Sequence, residues 1–253
     1  MVMSKIVTIM GQSGSGKTTS LRDFAPDEIC LINVVSKDLP FRGHFETVLC
    51  SDNYVQIKKF LNDTNKKIIV IDDAQYLMSN QFMNKANEKG FDKFTNIGKD
   101  FWDFVNFCKS LANDVIVYFL IHTEITDGIE KVKTIGKMID EKICFEGLFT
   151  VVLKSNFIDK SYCFETQTNG SNTVKSPIGM FNKLYIPNDL KMVDTTIREY
   201  YGLINLPKCS ICGGNITECS GRTVQQIVDG TIKTTGKQMC MRCFTRWQKE
   251  NKS

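Results

Sequence analysis

A glycine-rich segment close to the amino terminus limits the possible folds of this chain more than any other feature. Residues 11–18 read Gly-Gln-Ser-Gly-Ser-Gly-Lys-Thr and fit the pattern G-x-x-x-x-G-K-S/T of a phosphate-binding loop. The apolar, β-branched residues 5–10 predict a buried strand before it, and residues 19–24 are expected to continue as a helix. A chance glycine-serine turn in front of a lysine would not need these neighbours, so we predict a P-loop nucleotide site.

The predicted loop has the chemistry that a nucleoside triphosphate needs. Glycines allow successive backbone N–H groups to curve around phosphate oxygens, and the positive end of the following helix faces the anion. The Lys17 ammonium is expected to act on the β- and γ-phosphates, and the Thr18 hydroxyl to bind Mg²⁺. The residues predicted to hold ATP are Gly11, Gln12, Ser13, Gly14, Ser15, Gly16, Lys17, Thr18 and Thr19.

Two consecutive aspartates follow the fully apolar residues 68–71, which predict a buried strand. Asp72, at the end of that strand, is expected to hold the Mg²⁺ through water, and Asp73 is a candidate base for the attacking water. Asp38, after the strand predicted at residues 29–35, is the rival base. The alternative interpretation is that both aspartates simply begin a turn.

Strands that alternate with helices indicate the fold class. Residues 115–121 form another fully apolar run, and apolar residues recur at helical spacing over residues 97–112. Strands without polar positions are typical of a parallel sheet covered on both faces, so we predict an α/β fold of P-loop NTPase type with helices on both sides of the sheet. Further expected elements are a short strand at 47–50, a helix at 53–63, an antiparallel pair at 150–157 and 161–168, and a final helix at 189–201.

The motifs disfavour two classes of nucleotide enzyme. A GTPase would carry D-x-x-G at the strand end and N-K-x-D later, whereas residues 72–75 read Asp-Asp-Ala-Gln and no N-K-x-D occurs. Small-molecule kinases often close an arginine-rich lid over the transferred group. Residues 1–206 contain only Arg22, Arg42 and Arg198, which counts against a kinase without excluding one.

The remaining class is that of ATPases with an extra strand between the loop strand and the strand that ends in Asp72. Residues 115–121 suit that place, and His122 directly after them would sense the γ-phosphate, the alternative being a polar residue that simply leaves the core. Such ATPases work as rings or filaments, in which a neighbouring subunit supplies a cation to the transition state. Because arginine is scarce, Lys175 is the first candidate for that cation and Lys137 the second, a solvated surface charge being the alternative for either.

Composition, charge and cysteine content all change near Pro207, where we place a domain boundary. Residues 1–206, the predicted ATPase domain, carry 24 Lys and Arg against 25 Asp and Glu, whereas residues 207–253 carry 8 against 3. Five of the ten cysteines also lie in the second segment. In a reducing compartment, clustered cysteines are more often metal ligands than disulfides.

Two cysteine pairs in the carboxyl-terminal segment predict a zinc site. Cys209-x-x-Cys212 and Cys240-x-x-Cys243 have the spacing that lets four thiolates converge on one tetrahedral Zn²⁺. Because all four positions are thiols, the site is closed and structural, and the metal is expected to supply much of the stability of so small a domain. Cys219 remains as a spare thiol or as a replacement for one of the four.

The rest of this segment predicts a β-hairpin at residues 223–237, turning at Asp229-Gly230, and a helix at residues 244–252. Together with the cysteine pairs they predict a zinc ribbon or treble clef. Basic residues with Phe244 and Trp247 suggest a surface that follows a phosphate backbone while bases stack on the rings. Two alternatives stay open: the rings fill the zinc core, or the module docks a protein. The basic residues are Arg222, Lys233, Lys237, Arg242, Arg246, Lys249 and Lys252.

Several segments resemble one known family. The phosphate loop, IIVIDD at residues 68–73, YFLIHTE at 118–124, KTIGK at 133–137 and VKSPIGMF with IPNDL at 174–190 are similar to the RecA-like ATPases of bacteriophages. These proteins are distant relatives of recombinases and are proposed to anneal single strands beside a phage single-strand-binding protein. The resemblance covers roughly residues 3–201.

The resemblance implies a RecA-like fold, ATP-dependent action on single-stranded DNA in phage-type recombination or replication, and self-association into a ring or filament. It also implies contact with a single-strand-binding protein and a DNA-facing role for residues 123–142, whose lysines could equally face solvent. The cysteine-rich tail is a departure from the family and leaves open whether a particular partner recruits the chain. Two other functions remain alternatives: a phosphotransferase with a zinc lid, and a nucleotide-dependent loader that acts through protein contacts.

No apolar run approaches the roughly 18 residues of a membrane span. The apolar start, residues 6–10, is too short for the core of a secretion signal. We therefore expect a cytoplasmic protein with no membrane contact, in the host cytoplasm if the chain is phage-encoded.

Overall fold

The computed structural model describes residues 3–90, 92–135, 144–217, 219, 222 and 224–251. The chain forms two compact units, Met1–Thr196 and Ile197–Ser253. The division between them falls inside the helix Leu190–Tyr200, ten residues before Pro207, where the change in composition predicts a boundary.

A large, mostly parallel sheet forms the centre of the larger unit. Its strands are β1 (Lys5–Met10), β2 (Ile29–Asn33), β3 (Thr47–Leu49), β4 (Ile68–Asp72), β5 (Ile116–Ile121), β8 (Val151–Ile158), β9 (Ser161–Glu165) and β10 (Tyr185–Pro187). They lie in the order β10-β9-β8-β1-β5-β4-β2-β3. Neighbouring strands from β8 to β3 are parallel, and the pair β8–β9 is antiparallel as predicted.

Helices cover both faces of this sheet, which confirms the predicted α/β architecture. They are α1 (Tyr54–Asp63), α2 (Tyr76–Asn84), α3 (Asp92–Lys109) and α4 (Leu190–Tyr200). On one face α1, α2 and α3 share a core with the strands, where Phe101 and Phe104 of α3 meet Phe119 of β5. On the other face Tyr118 Oη donates a hydrogen bond to Asp194 of α4 at 2.9 Å. None of the helices in the described part of the chain has the length and apolarity that crossing a bilayer requires.

The predicted extra strand is present, because β5 lies between β1 and β4. Its first residue, Ile116, is paired with Lys5 of β1 on one side and with Ile68 of β4 on the other. Because the three strands are parallel, their carboxyl ends meet at one edge of the sheet. The glycine loop, the two aspartates and His122 all follow at that edge.

The helix predicted at residues 19–24 is wrong in type and length. A 3₁₀ turn, Thr18–Leu21, follows the glycine loop, and Phe24 N–H donates to the Leu21 carbonyl in the same tight pattern. Pro26 then lacks the N–H that a continuing helix would need. The chain therefore turns back early to enter β2.

A small hairpin after β5 was not predicted. It consists of β6 (Thr123–Thr126) and β7 (Ile129–Val132), which pair antiparallel around Asp127 and Gly128. Both turn residues have positive φ, +51° and +78°. Asp-Gly is the signature of such a two-residue turn, so the sequence did contain a local signal for this hairpin.

The β-hairpin predicted at residues 223–237 is wrong, because this segment contains a helix, α5 (Val224–Thr235). Its buried residues, Ile227, Val228 and Thr231, recur at helical spacing, and packing of that face outweighs the strand preference of the β-branched residues. Residue 223 lies outside the described residues. The helix predicted near the end is confirmed as α6 (Met241–Glu250). The smaller unit thus has a helix where a zinc ribbon has its hairpin.

Candidate functional site

The glycine loop leaves β1 at the carboxyl edge of the sheet and curves back on itself. Gly14 and Gly16 have φ of +77° and +98°, in the left-handed region that favours glycine. Inside the curve the buried Lys17 ammonium donates to the backbone carbonyls of Gly11 at 2.8 Å and Gln12 at 2.9 Å. The loop therefore encloses a cation whose present partners are neutral carbonyls, which phosphate oxygens could replace.

Thr18 and Asp72 are in direct contact. The Thr18 hydroxyl donates to both carboxylate oxygens of Asp72, at 2.9 and 3.0 Å. A hydroxyl and a carboxylate are hard oxygen ligands of the kind that Mg²⁺ prefers, and they come from the start of the 3₁₀ turn and from the end of β4. The residues present fit the predicted magnesium site.

Asp73 lies between two basic side chains. One carboxylate oxygen is 2.6 Å from Lys37 Nζ, and the other is 3.0 Å from His122 Nε2. The His122 backbone N–H donates to Gln75 Oε1 at 3.1 Å, which joins the end of β5 to the start of α2. Asp73 has φ of +58°, a conformation that is costly for a residue other than glycine. The network around its carboxylate holds it there.

The charged groups of this edge have shifted pKa values. Burial, together with the charge of Asp73, raises the pKa of Asp72 to about 6. Burial alone would raise the pKa of Asp73 as well, but hydrogen bonds from His122 and Lys37 lower it to about 2. Burial also lowers the pKa of Lys17 to about 8, against the pull of the two aspartates. At neutral pH the site holds an ammonium and two carboxylates.

These groups line one cleft of about 240 Å³. It brings together Lys17, Asp72, Asp73 and His122 with the rival base Asp38. Of the residues predicted to hold ATP, those that line this cleft are Ser13, Gly14, Gly16, Lys17, Thr18 and Thr19. Gln12 and Ser15 instead line a neighbouring cleft of about 260 Å³, where the Gln12 amide donates to Thr123.

Of the two candidates for a cation donated by another subunit, the structure describes only Lys175. Lys175 exchanges backbone hydrogen bonds with Val152 and does not line the cleft. Lys137 lies outside the described residues. The role predicted for each lysine stays a prediction.

Two buried residues that support the loop were missed. The Ser155 hydroxyl, on β8, donates to the Ser15 carbonyl at 2.7 Å. The Asn188 amide, after β10, donates to the Gly16 carbonyl and to Ser155 Oγ, both at 3.2 Å. Ser155 is 140 positions downstream of Ser15, and Asn188 is 172 positions downstream of Gly16. Because only the fold brings them to the loop, no local pattern could have identified them.

Tyr162 and Lys37 were also missed as parts of the cleft. The Tyr162 ring lies so close to Gly16 that a Cβ at that position would be 2.6 Å from its Cδ1 atom. A glycine is therefore required there by both the neighbouring ring and the positive φ. Lys37, like Asp38, follows β2. Its position after the carboxyl end of a parallel strand, where ligands bind in such sheets, is the sequence signal that could have identified it as part of the cleft.

The four predicted zinc ligands form one cluster in the smaller unit. The sulfur atoms of Cys209, Cys212, Cys240 and Cys243 all lie within 4.8 Å of one another. The Cys212 and Cys240 sulfurs are 3.8 Å apart, which matches the edge of a ZnS₄ tetrahedron, about 3.8 Å for Zn–S bonds of about 2.3 Å. The donor set fits a divalent metal such as zinc. Cys219 lies outside the cluster and pairs with Arg222 through the backbone.

The backbone around the cluster favours ionised sulfur at one position. Burial by itself would raise the pKa of the Cys209 thiol, but N–H groups of Cys212, Cys240 and Ile211 lower it to about 6. The turn that supplies the Ile211 and Cys212 N–H groups contains Gly213, with φ of +69°, whose N–H donates to the Cys209 carbonyl at 2.9 Å. Thiolates are the form that binds zinc.

No model of a known protein family matches the chain, and no curated protein matches it significantly. The resemblance to phage RecA-like ATPases therefore rests on those sequence segments alone.

Proposed function

We propose that this chain is an ATP- and Mg²⁺-dependent ATPase of RecA-like type that acts on single-stranded DNA as an oligomer, with a structural zinc unit at its carboxyl terminus. The observation that carries the proposal is the convergence of Lys17, Thr18 and Asp72 in one cleft at the carboxyl edge of a parallel sheet. Cation, hydroxyl and carboxylate are the groups that phosphoryl transfer uses in P-loop enzymes. The position of β5 between β1 and β4 supports the same class.

In this proposal each side chain of the cleft has a role in phosphoryl transfer. Lys17 exchanges its carbonyl partners for β- and γ-phosphate oxygens and compensates their charge in the transition state. Thr18 and Asp72 would hold Mg²⁺, which would supply positive charge to neutralise the phosphates. His122 donates a hydrogen bond toward the γ-phosphate, as the sensor role predicted for it requires.

Asp73 is better suited to orient the attacking water than to remove its proton. A carboxylate with a pKa near 2 is a weak base at neutral pH, and catalytic bases work best with a pKa near the working pH. Its two oxygens face Lys37 and His122 and can still accept a hydrogen bond from water. The proposal therefore assigns Asp73 a positioning role in place of the predicted base.

Single-stranded DNA and self-association come from the resemblance, as does a single-strand-binding protein as partner. The contacts of the β6–β7 hairpin support a coupling between the glycine loop and residues 123–132, the described hairpin of the predicted DNA-facing segment. Gln12 of the glycine loop donates to Thr123, Thr123 donates to Glu130 at 2.7 Å, and Glu130 pairs with Lys154. A nucleotide that moves the glycine loop would thus act on the hairpin through the Gln12–Thr123 contact, and the Thr123–Glu130 and Glu130–Lys154 contacts would carry the change across the hairpin to β8.

ATP hydrolysis measured with and without oligo-dT tests the proposal. We expect turnover that requires Mg²⁺ and rises with oligo-dT, together with a larger oligomer in the presence of DNA. Lys17→Ala should lower turnover more than about 100-fold, since it removes a transition-state charge. Lys59→Ala, at an exposed lysine of α1, is the matched control and should behave as the unmodified chain.

Each component of the proposal can fail separately. Hydrolysis by the Lys17→Ala variant at the unmodified rate would show that the assigned cleft is not the active site. If oligo-dT changed neither turnover nor oligomer size while hydrolysis needed Lys17, the DNA component would be wrong. A phosphotransferase or a protein-directed loader would then be the better account.

A further inference from the structure

The last helix of the smaller unit has two different faces. Cys243, Phe244 and Trp247 of α6 face the cysteine cluster, where Phe244 is buried and Trp247 is partly buried. The Phe244 and Trp247 rings are stacked, with centroids 6.3 Å apart and an angle of 6° between their planes. These two aromatic rings therefore belong to the core of the unit, which removes them from the surface on which nucleic-acid bases were expected to stack.

The opposite face of α6 is basic and lines a groove. The groove has a volume of about 560 Å³, and its walls are Cys219, Met241, Arg242, Thr245, Arg246 and Lys249. The three cations recur at positions i, i+4 and i+7, so they lie in one row along the helix. With a rise of about 1.5 Å per residue, the row is about 10 Å long.

The groove has the charge and the donors to hold a polyanion. No Asp or Glu is among its lining residues, and among the described residues no ion pair joins Arg242, Arg246 or Lys249 to an acid. The guanidinium groups can bind phosphate oxygens with two hydrogen bonds each, and the Thr245 hydroxyl between them is a further donor. Residues 207–253 as a whole carry 8 Lys and Arg against 3 Asp and Glu.

We propose that this groove binds the phosphate backbone of a single-stranded nucleic acid, through its charges and not through the bases. The choice of a nucleic acid as the occupant rests on the proposed function. The groove and its positive charge are features of the structure and do not depend on that function. A row of like charges along a straight helix suits a polymer with one negative charge per repeating unit. An acidic protein segment is the competing occupant, and it would need clustered carboxylates to match the row.

The test is the salt dependence of oligo-dT binding by the full-length, zinc-loaded protein, followed by fluorescence anisotropy. The logarithm of the binding constant falls with the logarithm of the salt concentration by about 0.7 for each phosphate neutralised on a single strand. Arg242→Gln with Arg246→Gln should therefore reduce the slope by about 1.4 and weaken binding at least tenfold at low salt. Lys233→Gln with Lys237→Gln removes the same charge outside the groove and should change neither.

Two readouts keep the result interpretable. One zinc per chain and unchanged tryptophan fluorescence would show that the groove variant keeps its fold. Its ATP hydrolysis without DNA should equal that of the unmodified chain, since the substituted residues lie outside the nucleotide cleft. Oligo-dT and oligo-dA should compete equally, because the bases are not contacted.

Several outcomes would overturn the inference. An equal loss of affinity in the Arg242/Arg246 and Lys233/Lys237 double variants would show that binding depends on net charge and not on the groove. An unchanged salt slope in the Arg242/Arg246 variant would show that the groove does not bind the phosphates. Stronger competition by poly-glutamate than by oligo-dT at equal charge would identify an acidic protein as the occupant. If DNA does not stimulate ATP hydrolysis but the groove variant still shows a smaller salt slope for oligo-dT binding, the proposed function is wrong and the groove remains a nucleic-acid site.

Discussion

Consecutive aspartates at the end of β4 ionise differently because they face different surroundings. Asp72 is buried against Thr18, and burial raises its pKa to about 6. Asp73 faces Lys37 and His122, whose hydrogen bonds outweigh burial and lower its pKa to about 2. The sequence gives no reason to treat the ionisation of the two aspartates differently. Only the fold shows that Asp72 faces a neutral hydroxyl, whereas Asp73 faces two basic side chains.

The raised pKa of Asp72 predicts a pH dependence of stability. Between pH 3.8, the ordinary value, and about 6, the folded chain keeps a proton that the unfolded chain loses, so the free energy of unfolding falls as pH rises. The loss contributed by this group is about 3 kcal/mol. Without Mg²⁺, we expect the unmodified chain to lose thermal stability relative to Asp72→Asn as the pH rises from 3.8 to about 6. Parallel pH profiles for the two proteins would contradict the assignment.

At Gly16 the structure predicts two separable costs of a side chain. Gly16→Ala meets the Tyr162 ring and also places alanine at φ +98°. We expect lower stability and weaker ATP binding. Adding Tyr162→Ala should recover the steric part only and leave a backbone cost of about 1–2 kcal/mol. Thermal unfolding of the four proteins in this double-mutant cycle measures both parts, and full recovery in the double variant would show that the positive φ costs nothing.

At the scale of elements, the glycine loop is supported from outside its own segment. The following helical turn is short, Thr18–Leu21, so contacts from β8 and from the loop after β10 hold the curve in place. Ser155 binds the Ser15 carbonyl, and Asn188 binds the Gly16 carbonyl.

Asn188→Ala should therefore weaken nucleotide binding, although the Asn188 side chain does not line the nucleotide cleft. It leaves the Gly16 carbonyl and Ser155 without a buried donor, at a cost of about 1–3 kcal/mol in stability. We expect ATP affinity to fall about tenfold. Asn62→Ala, at an exposed asparagine of α1, is the control. Calorimetry with ATP and Mg²⁺ checks the affinity, and equal affinities for the two variants would show that the loop is rigid by itself.

Local pattern predicted the elements whose burial is nearly complete. The apolar residues of β1, β4 and β5 specify central strands, and the helical recurrence of Phe101, Phe104 and Cys108 specifies α3. Prediction failed at residues 223–237, where β-branched residues suggested strands but packing of Ile227 and Thr231 against the cysteine cluster made a helix. The supporting groups Ser155 and Asn188 were not predictable, because they reach the loop only through tertiary structure.

At the scale of the whole molecule, each unit has its own core. The larger unit packs its helices against the sheet, and the smaller packs Ile216, Ile227 and Phe244 around the cysteine cluster. A unit of fewer than 60 residues buries a small share of its surface, so its apolar core alone gives it only marginal stability. Its fold should therefore depend on the metal.

Metal removal predicts unfolding confined to the smaller unit. Metal analysis should find about one zinc per chain, and Cys240→Ser should lower it, since one of four ligands is lost. Trp247 fluorescence should then shift toward that of exposed indole, while hydrolysis without DNA persists. Cys50→Ser, at an exposed cysteine outside the cluster, should keep its zinc. A native Trp247 signal in metal-free protein would contradict a structural role for zinc.

Binding of a nucleoside triphosphate by the glycine loop through Lys17 can be measured by isothermal calorimetry with ATP and Mg²⁺. We expect one site per chain in the unmodified protein and in Lys59→Ala, and a loss of at least about 100-fold in affinity in Lys17→Ala. Absence of binding to the unmodified protein at saturating ATP and Mg²⁺, or equal affinity in the Lys17→Ala variant, would contradict this expectation.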